Sequence, residues 1–100
     1  MTMDQRAVDA AQQDLERVRA EIERVDRSLI ELIARRMELA RGVGKAKRAA
    51  GLPALDPARE AAVIRRASEI ARELGAPEED VRYVFWHLIG MSRRAQLAGD

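Results

Sequence analysis

The 100-residue sequence contains no cysteine, which excludes disulfides, thiolate metal sites and cysteine nucleophiles. Its single histidine, His87, leaves little from which to build an imidazole metal cluster or a Ser/His/Asp triad. A charge excess is missing too. Eighteen Lys and Arg stand against 17 Asp and Glu, a net charge of +1, whereas a phosphate-binding surface needs a clear basic surplus. Neither a nucleic acid nor a membrane surface is therefore an expected partner. No apolar run approaches the roughly 20 residues that span a bilayer. The opening MTMDQRAVDAAQQD is polar and acidic where a secretory signal would be apolar, so a cytoplasmic protein is expected. Any chemistry must come from Arg, Lys, Asp, Glu, Ser and Gln, without a metal or cofactor.

What is present is a 47% hydrophobic share with only 3% aromatics, carried by Ala, Leu, Val and Ile, the makeup of a helical protein. One domain is expected at this length, and a chain so short buries only about two-thirds of its unfolded surface when it folds alone. Leu15, Val18, Ile22, Val25, Leu29 and Leu32, then Leu39, Val43 and Ala46, recur in steps of three and four on one helix face. Gly42 and Gly44 each weaken a helix by about 1 kcal/mol relative to Ala, yet the periodicity runs through them. The spacing predicts one helix over about residues 7–49, roughly 60 Å long, more than a compact domain of this size is wide. Asp56 and Pro57 read as an N-cap and first helical residue of a second helix over 57–74, closed by Gly75. A third helix over 78–97 opens with Glu78, Glu79 and Asp80 against the helix dipole. The expected class is all-α, with residues 1–14 an extension of the first helix and 15–97 the working domain. Two short helices cannot cover so long an apolar stripe, so an intertwined homodimer with antiparallel long helices is the simplest cover.

The informative positions are polar residues in apolar slots. Four residues beyond Leu32 the stripe meets Arg36, and an unpaired charge in a core costs several kcal/mol. Lys47 lies eleven residues on, about 20° round the helix and roughly 16 Å along it. Ser92 and Gln96 follow Leu88 at steps of four where the third helix's stripe should continue. Arg59 and Glu60 sit one turn before Val63 and Ile64, on the inner side of the second helix. Each has a plainer alternative. Arg36 could run its head out to water, Lys47 could serve the helix dipole, Glu60 could pair with Arg66, and Asp56 caps a helix in any case. What favours a site is that these departures converge on one side of the bundle. Arg19 lies about 25 Å along the axis from Arg36 and roughly 100° round it, so only the Arg19 of an antiparallel partner could join Arg36 and Lys47 around one small molecule.

The run RAEIERVDRSLIELIARRMELARGVGKAK, then LDPARE, then IGMSRRAQ, closely resembles the all-helical chorismate mutases over about residues 15–97. The resemblance combines VGKAK, DPxRE and SxxxQ at family spacing. It implies that Arg19 of the partner chain and Arg36 of the same chain grip substrate carboxylates, with Ser92 beside Arg36. Lys47 would reach a carboxylate and the ether oxygen, and Gln96 would donate to that same oxygen. Glu60 and the Asp56 backbone amide would hold the ring hydroxyl, with Arg59 a further cation at the rim. Gly90 and Met91 depart from the bulkier or acidic residues often found there, and the first dozen residues have no family counterpart.

The implied activity is the rearrangement of chorismate to prephenate in aromatic amino acid biosynthesis. It suits the residue inventory, because a pericyclic reaction needs no nucleophile, metal or obligatory proton transfer. It needs a dicarboxylate held in its reactive conformer and donors aimed at an oxygen that gains charge in the transition state. Two alternatives stand beside it: an isochorismate-pyruvate lyase with a similar cationic pocket, and a non-catalytic helical dimerisation or regulatory module. An activating partner enzyme of the same pathway is left open.

Overall fold

A computed structural model of the chain describes residues 3–98. It consists of three α-helices, α1 (Met3–Ala50), α2 (Pro57–Leu74) and α3 (Glu78–Ala98), with no strand among the described residues. This is the all-α class, with a long first helix, that the periodicity predicts. Of the expected extension over 1–14, residues 1 and 2 lie outside the described residues. From Met3 onward α1 is already helical, and Asp4 in its first turn complements the helix dipole. None of these helices is long and apolar enough to cross a membrane.

The ends of α2 follow from local chemistry. Asp56 Oδ1 accepts from the Arg59 amide at 3.1 Å and the Asp56 carbonyl from the Glu60 amide at 3.0 Å. Pro57 occupies the first helical position, where it forfeits no hydrogen bond. At the other end Gly75 turns left-handed, with φ +71°, and the Ala76 amide donates back to the Ala71 carbonyl at 2.8 Å. Across this turn Arg72 and Ser68 both donate to Glu78, at 2.9 and 3.0 Å on Oε1. That clamp ties the start of α3 to the last turns of α2.

The chain divides into two compact units, residues 1–32 and 33–100. The first is a stretch of α1 whose apolar stripe is open: Leu15, Val18, Ile22, Val25 and Leu29 are 42% to 58% exposed. Its charges pair along the helix, Arg17 with Asp14 and Glu21, and Arg27 with Glu31. Such exposed pairs contribute only about 0.2–0.5 kcal/mol each. In the second unit the end of α1 packs with α2 and α3 around a small core of Ala40, Ala67, Ala71, Leu88 and Ile89. Ser68 and Ser92 are buried with them, and the Ser92 hydroxyl is satisfied by donating to the Leu88 carbonyl at 2.8 Å.

Candidate active site

Within the second unit a cavity of about 320 Å³ opens between the C-terminal part of α1, the mouth of α2 and the last turns of α3. Arg36, Lys47, Asp56, Arg59, Glu60, Ser92 and Gln96 all line it, on an apolar floor that includes Val43, Val63 and Ile89. The polar interruptions of all three stripes thus face one space. Arg19 is exposed on the 1–32 stretch of α1 and is not among the lining residues.

Arg36 is half-buried, and its head does not simply run out to water. It donates to the Ser92 hydroxyl, and its guanidinium carbon stands 5.9 Å from the centroid of the Phe85 ring. The Ser92 hydroxyl is itself anchored to Leu88, so the planar guanidinium is held by α3 and its remaining donors stay available for an anion.

Lys47 reaches across from α1 to α3. Its Nζ donates to Gln96 Oε1 at 3.1 Å and to the Ala54 carbonyl at 2.9 Å. A fixed ammonium at the cavity wall results, whereas a lysine serving only the helix dipole would trail into solvent. Lys47 holds the Gln96 oxygen on its own side, which leaves both amide N–H donors free to meet a ligand. The Gln96 backbone carbonyl accepts from Arg48 at 2.8 Å. None of Arg36, Lys47 and Arg59 is paired with a carboxylate among the described residues.

The two acids of the site are each engaged. Asp56 caps α2. Glu60 pairs with Arg93 of α3, which donates through Nε at 2.8 Å and Nη2 at 2.6 Å, and not with Arg66. The Arg93 guanidinium holds the Glu60 carboxyl below the usual carboxylate range, partial burial opposes this, and the Lys47 charge adds a smaller lowering. Glu60 is therefore an ionised acceptor at neutral pH. Arg93, Arg48 and Phe85 were not legible as site residues. Arg93 adjoins Ser92 but lies off the α3 stripe, and the signal available was the demand of an inward Glu60 for a cation.

The site as a whole is a small, partly open space lined by three cations, Arg36, Lys47 and the exposed Arg59, with an amide donor and a fixed carboxylate acceptor. It suits a compact dianion that also carries a hydroxyl. Residues 18–97 match the chorismate mutase type II family, and the chain belongs to that family. Over 66 residues it is 38% identical to the T-protein of Enterobacter agglomerans, covering 66% of this chain and 18% of that one. Over 57 residues it is 39% identical to the intracellular chorismate mutase of Mycobacterium bovis, covering 57% of this chain and 54% of the relative. The chain thus spans less than two-thirds of the length of these curated relatives. Among solved structures, a conserved hypothetical protein from Pyrococcus furiosus superposes with a TM-score of 0.68 at 32% identity, covering 83% of this chain and 95% of that one.

Proposed function

We propose that the protein is a chorismate mutase of aromatic amino acid biosynthesis, acting as a cytoplasmic homodimer. The observation that carries this reading is the convergence of Arg36, Lys47, Asp56, Arg59, Glu60, Ser92 and Gln96 on one 320 Å³ cavity, in a chain of the chorismate mutase type II family. Chorismate is a dicarboxylate with a ring hydroxyl and an enol ether. Its rearrangement breaks the ether C–O bond while a new C–C bond forms, with no atom gained or lost.

Arg36, presented by Ser92, binds one carboxylate, and Lys47 reaches a carboxylate and the ether oxygen. The Gln96 amide donates to the same oxygen. As the C–O bond breaks, negative charge grows on that oxygen, so Lys47 and Gln96 bind the transition state more strongly than the substrate. Glu60 and the Asp56 amide hold the ring hydroxyl and Arg59 closes the rim. Together they select the folded conformer in which the reacting carbons face each other.

The homodimer is supported by the open stripe on α1, where Leu15, Val18, Ile22, Val25 and Leu29 need an apolar cover. A second copy lying antiparallel supplies it and brings Arg19 of the partner chain to the substrate as a further cation. Loss of chorismate absorbance with purified protein tests the proposal directly. Turnover of chorismate is expected, with isochorismate left intact. Turnover of isochorismate alone would assign a pyruvate lyase, and binding without turnover a regulatory module.

A further inference from the structure

Glu60 stands on a shared wall. It lines the candidate active cavity, and it also lines a neighbouring cavity of about 350 Å³ between α2 and α3, formed by Pro57, Ala61, Ile64, Trp86 and Ile89 with Arg65 and Arg93. Arg93 lines this second space and not the candidate active cavity. It therefore grips Glu60 from behind, through both carboxylate oxygens, without itself facing the place where a substrate would lie. Its side chain is 46% exposed and that of Glu60 25% exposed, so the acid is the more enclosed partner and the arginine reaches in from outside.

We infer that Arg93 is a positioning residue of the proposed mutase, setting the rotamer and charge of Glu60 from the outer face of the α2–α3 pair so that this carboxylate meets the ring hydroxyl. A glutamate has three side-chain torsions and, alone on a cavity wall, would sample several directions. Two parallel N–H···O bonds to a planar guanidinium remove that freedom, because a bidentate pair fixes the carboxylate plane as well as its place. Each carboxylate oxygen keeps a free lone pair, so Glu60 can still accept from a substrate hydroxyl.

The alternative source of order, Lys47, is committed to Gln96 and Ala54. Arg36 is committed to Ser92, Arg59 is on Glu60's own helix, and Arg65 faces the outer cavity. Asp56, the other acid near Glu60, accepts at the α2 cap. Of the charged groups on α1, α2 and α3 around Glu60, Arg93 alone makes a direct ion pair with it.

The test measures kcat/KM for chorismate across pH in the wild type and in Arg93→Ala, Arg93→Lys and Glu60→Gln, alone and combined. It also follows titration of the Glu60 side-chain carboxyl by NMR without substrate. Arg93→Ala is expected to lower kcat/KM by up to about 10²-fold, the scale of a contact misplaced by about 1 Å, and to move the acid limb of the profile up toward the ordinary carboxylate range. Arg93→Lys should restore the acid limb more fully than the rate, since an ammonium supplies charge but not the bidentate grip. On the Glu60→Gln background the Arg93→Ala change should cost little more, because the two groups act as a unit.

A full additive loss on that background, or an Arg93→Ala profile superimposable on the wild type, overturns the inference. The carboxyl titration separates the two failures. If the wild type does not turn over chorismate while the Glu60 titration still depends on Arg93, the proposed function falls and the pairing stands. If chorismate is turned over but the titration ignores Arg93, the inference about Arg93 falls alone.

Discussion

Gly44 of α1 lies directly against the backbone of Gln96 in α3: a Cβ at position 44 would come within 2.4 Å of the Gln96 carbonyl oxygen and 2.8 Å of its Cα. Neither atom can move without shifting the helix. This contact brings α1 and α3 together one turn from Lys47, and so sets the reach of its ammonium to the Gln96 amide. Gly42, two residues earlier, has nothing within 4 Å of the corresponding position. Gly44→Ala is therefore expected to cost about 1–3 kcal/mol through overpacking, together with activity. Gly42→Ala should gain up to about 1 kcal/mol in helix propensity. Urea midpoints of the two variants check the contrast, and equal effects would show that the helices do not meet there.

The Lys47 to Gln96 bond makes the pH behaviour of one substitution specific. A carboxyl at position 96 could donate to an ether oxygen only when protonated, and an ammonium at hydrogen-bonding distance favours the ionised form. Gln96→Glu should thus be active only at acid pH, with its activity falling as pH rises through a carboxyl pKa held below the ordinary range by Lys47. A pH–rate profile decides it, and activity at pH 8 equal to the wild type would remove Gln96 from the site. If Lys47 donates to the ether oxygen as proposed, Lys47→Ala should lower kcat by about 10²–10³.

Much of the second unit was legible in the sequence because its signals are local. The Asp56–Pro57 cap, the Gly75 stop and the acids opening α3 each act within a turn. Arg36, Ser92 and Gln96 announced themselves by breaking a period of 3.6. Gly44 could be read only as a weak spot in a helix, since its use depends on a backbone 52 residues away. Arg93 was hidden for a related reason. Its partner Glu60 is on another helix, and a sequence rich in arginine gives no reason to choose it over Arg66, which is nearer along the chain although six residues on and so off Glu60's helix face. Phe85 lies one turn before Leu88 in α3, but its place beneath Arg36 depends on how two helices face each other.

Acid should weaken the second unit through two carboxylates. Glu78 is held below the usual range first by its bond to Arg72 and then by Ser68, and Glu60 first by its bond to Arg93. A folded-state pKa below the unfolded one means stability that is present above the unfolded value and is lost as pH falls through the folded one. Urea midpoints are expected to hold steady near neutrality and decline below the ordinary carboxylate range. Arg72→Ala should lower the neutral midpoint while flattening that decline, and an unchanged slope would show that the α2–α3 clamp contributes nothing.

The proposed homodimer makes a prediction that no single-chain site shares. Arg36 lines the cavity while Arg19 does not, so if each site takes Arg19 from the partner chain, Arg19→Ala and Arg36→Ala disable both sites of their own dimers. Mixed and allowed to exchange, the two variants form heterodimers in which one site keeps both arginines and the other loses both. With random exchange half the dimers are mixed and half their sites are intact, so activity should recover to about a quarter of the wild-type value. Chorismate consumption before and after exchange measures this, with the dimeric state of each variant checked by light scattering. Recovery cannot arise from a site within one chain, because every chain in the mixture lacks one of the two arginines. No recovery, with both variants dimeric and exchanging, would exclude a site built between chains.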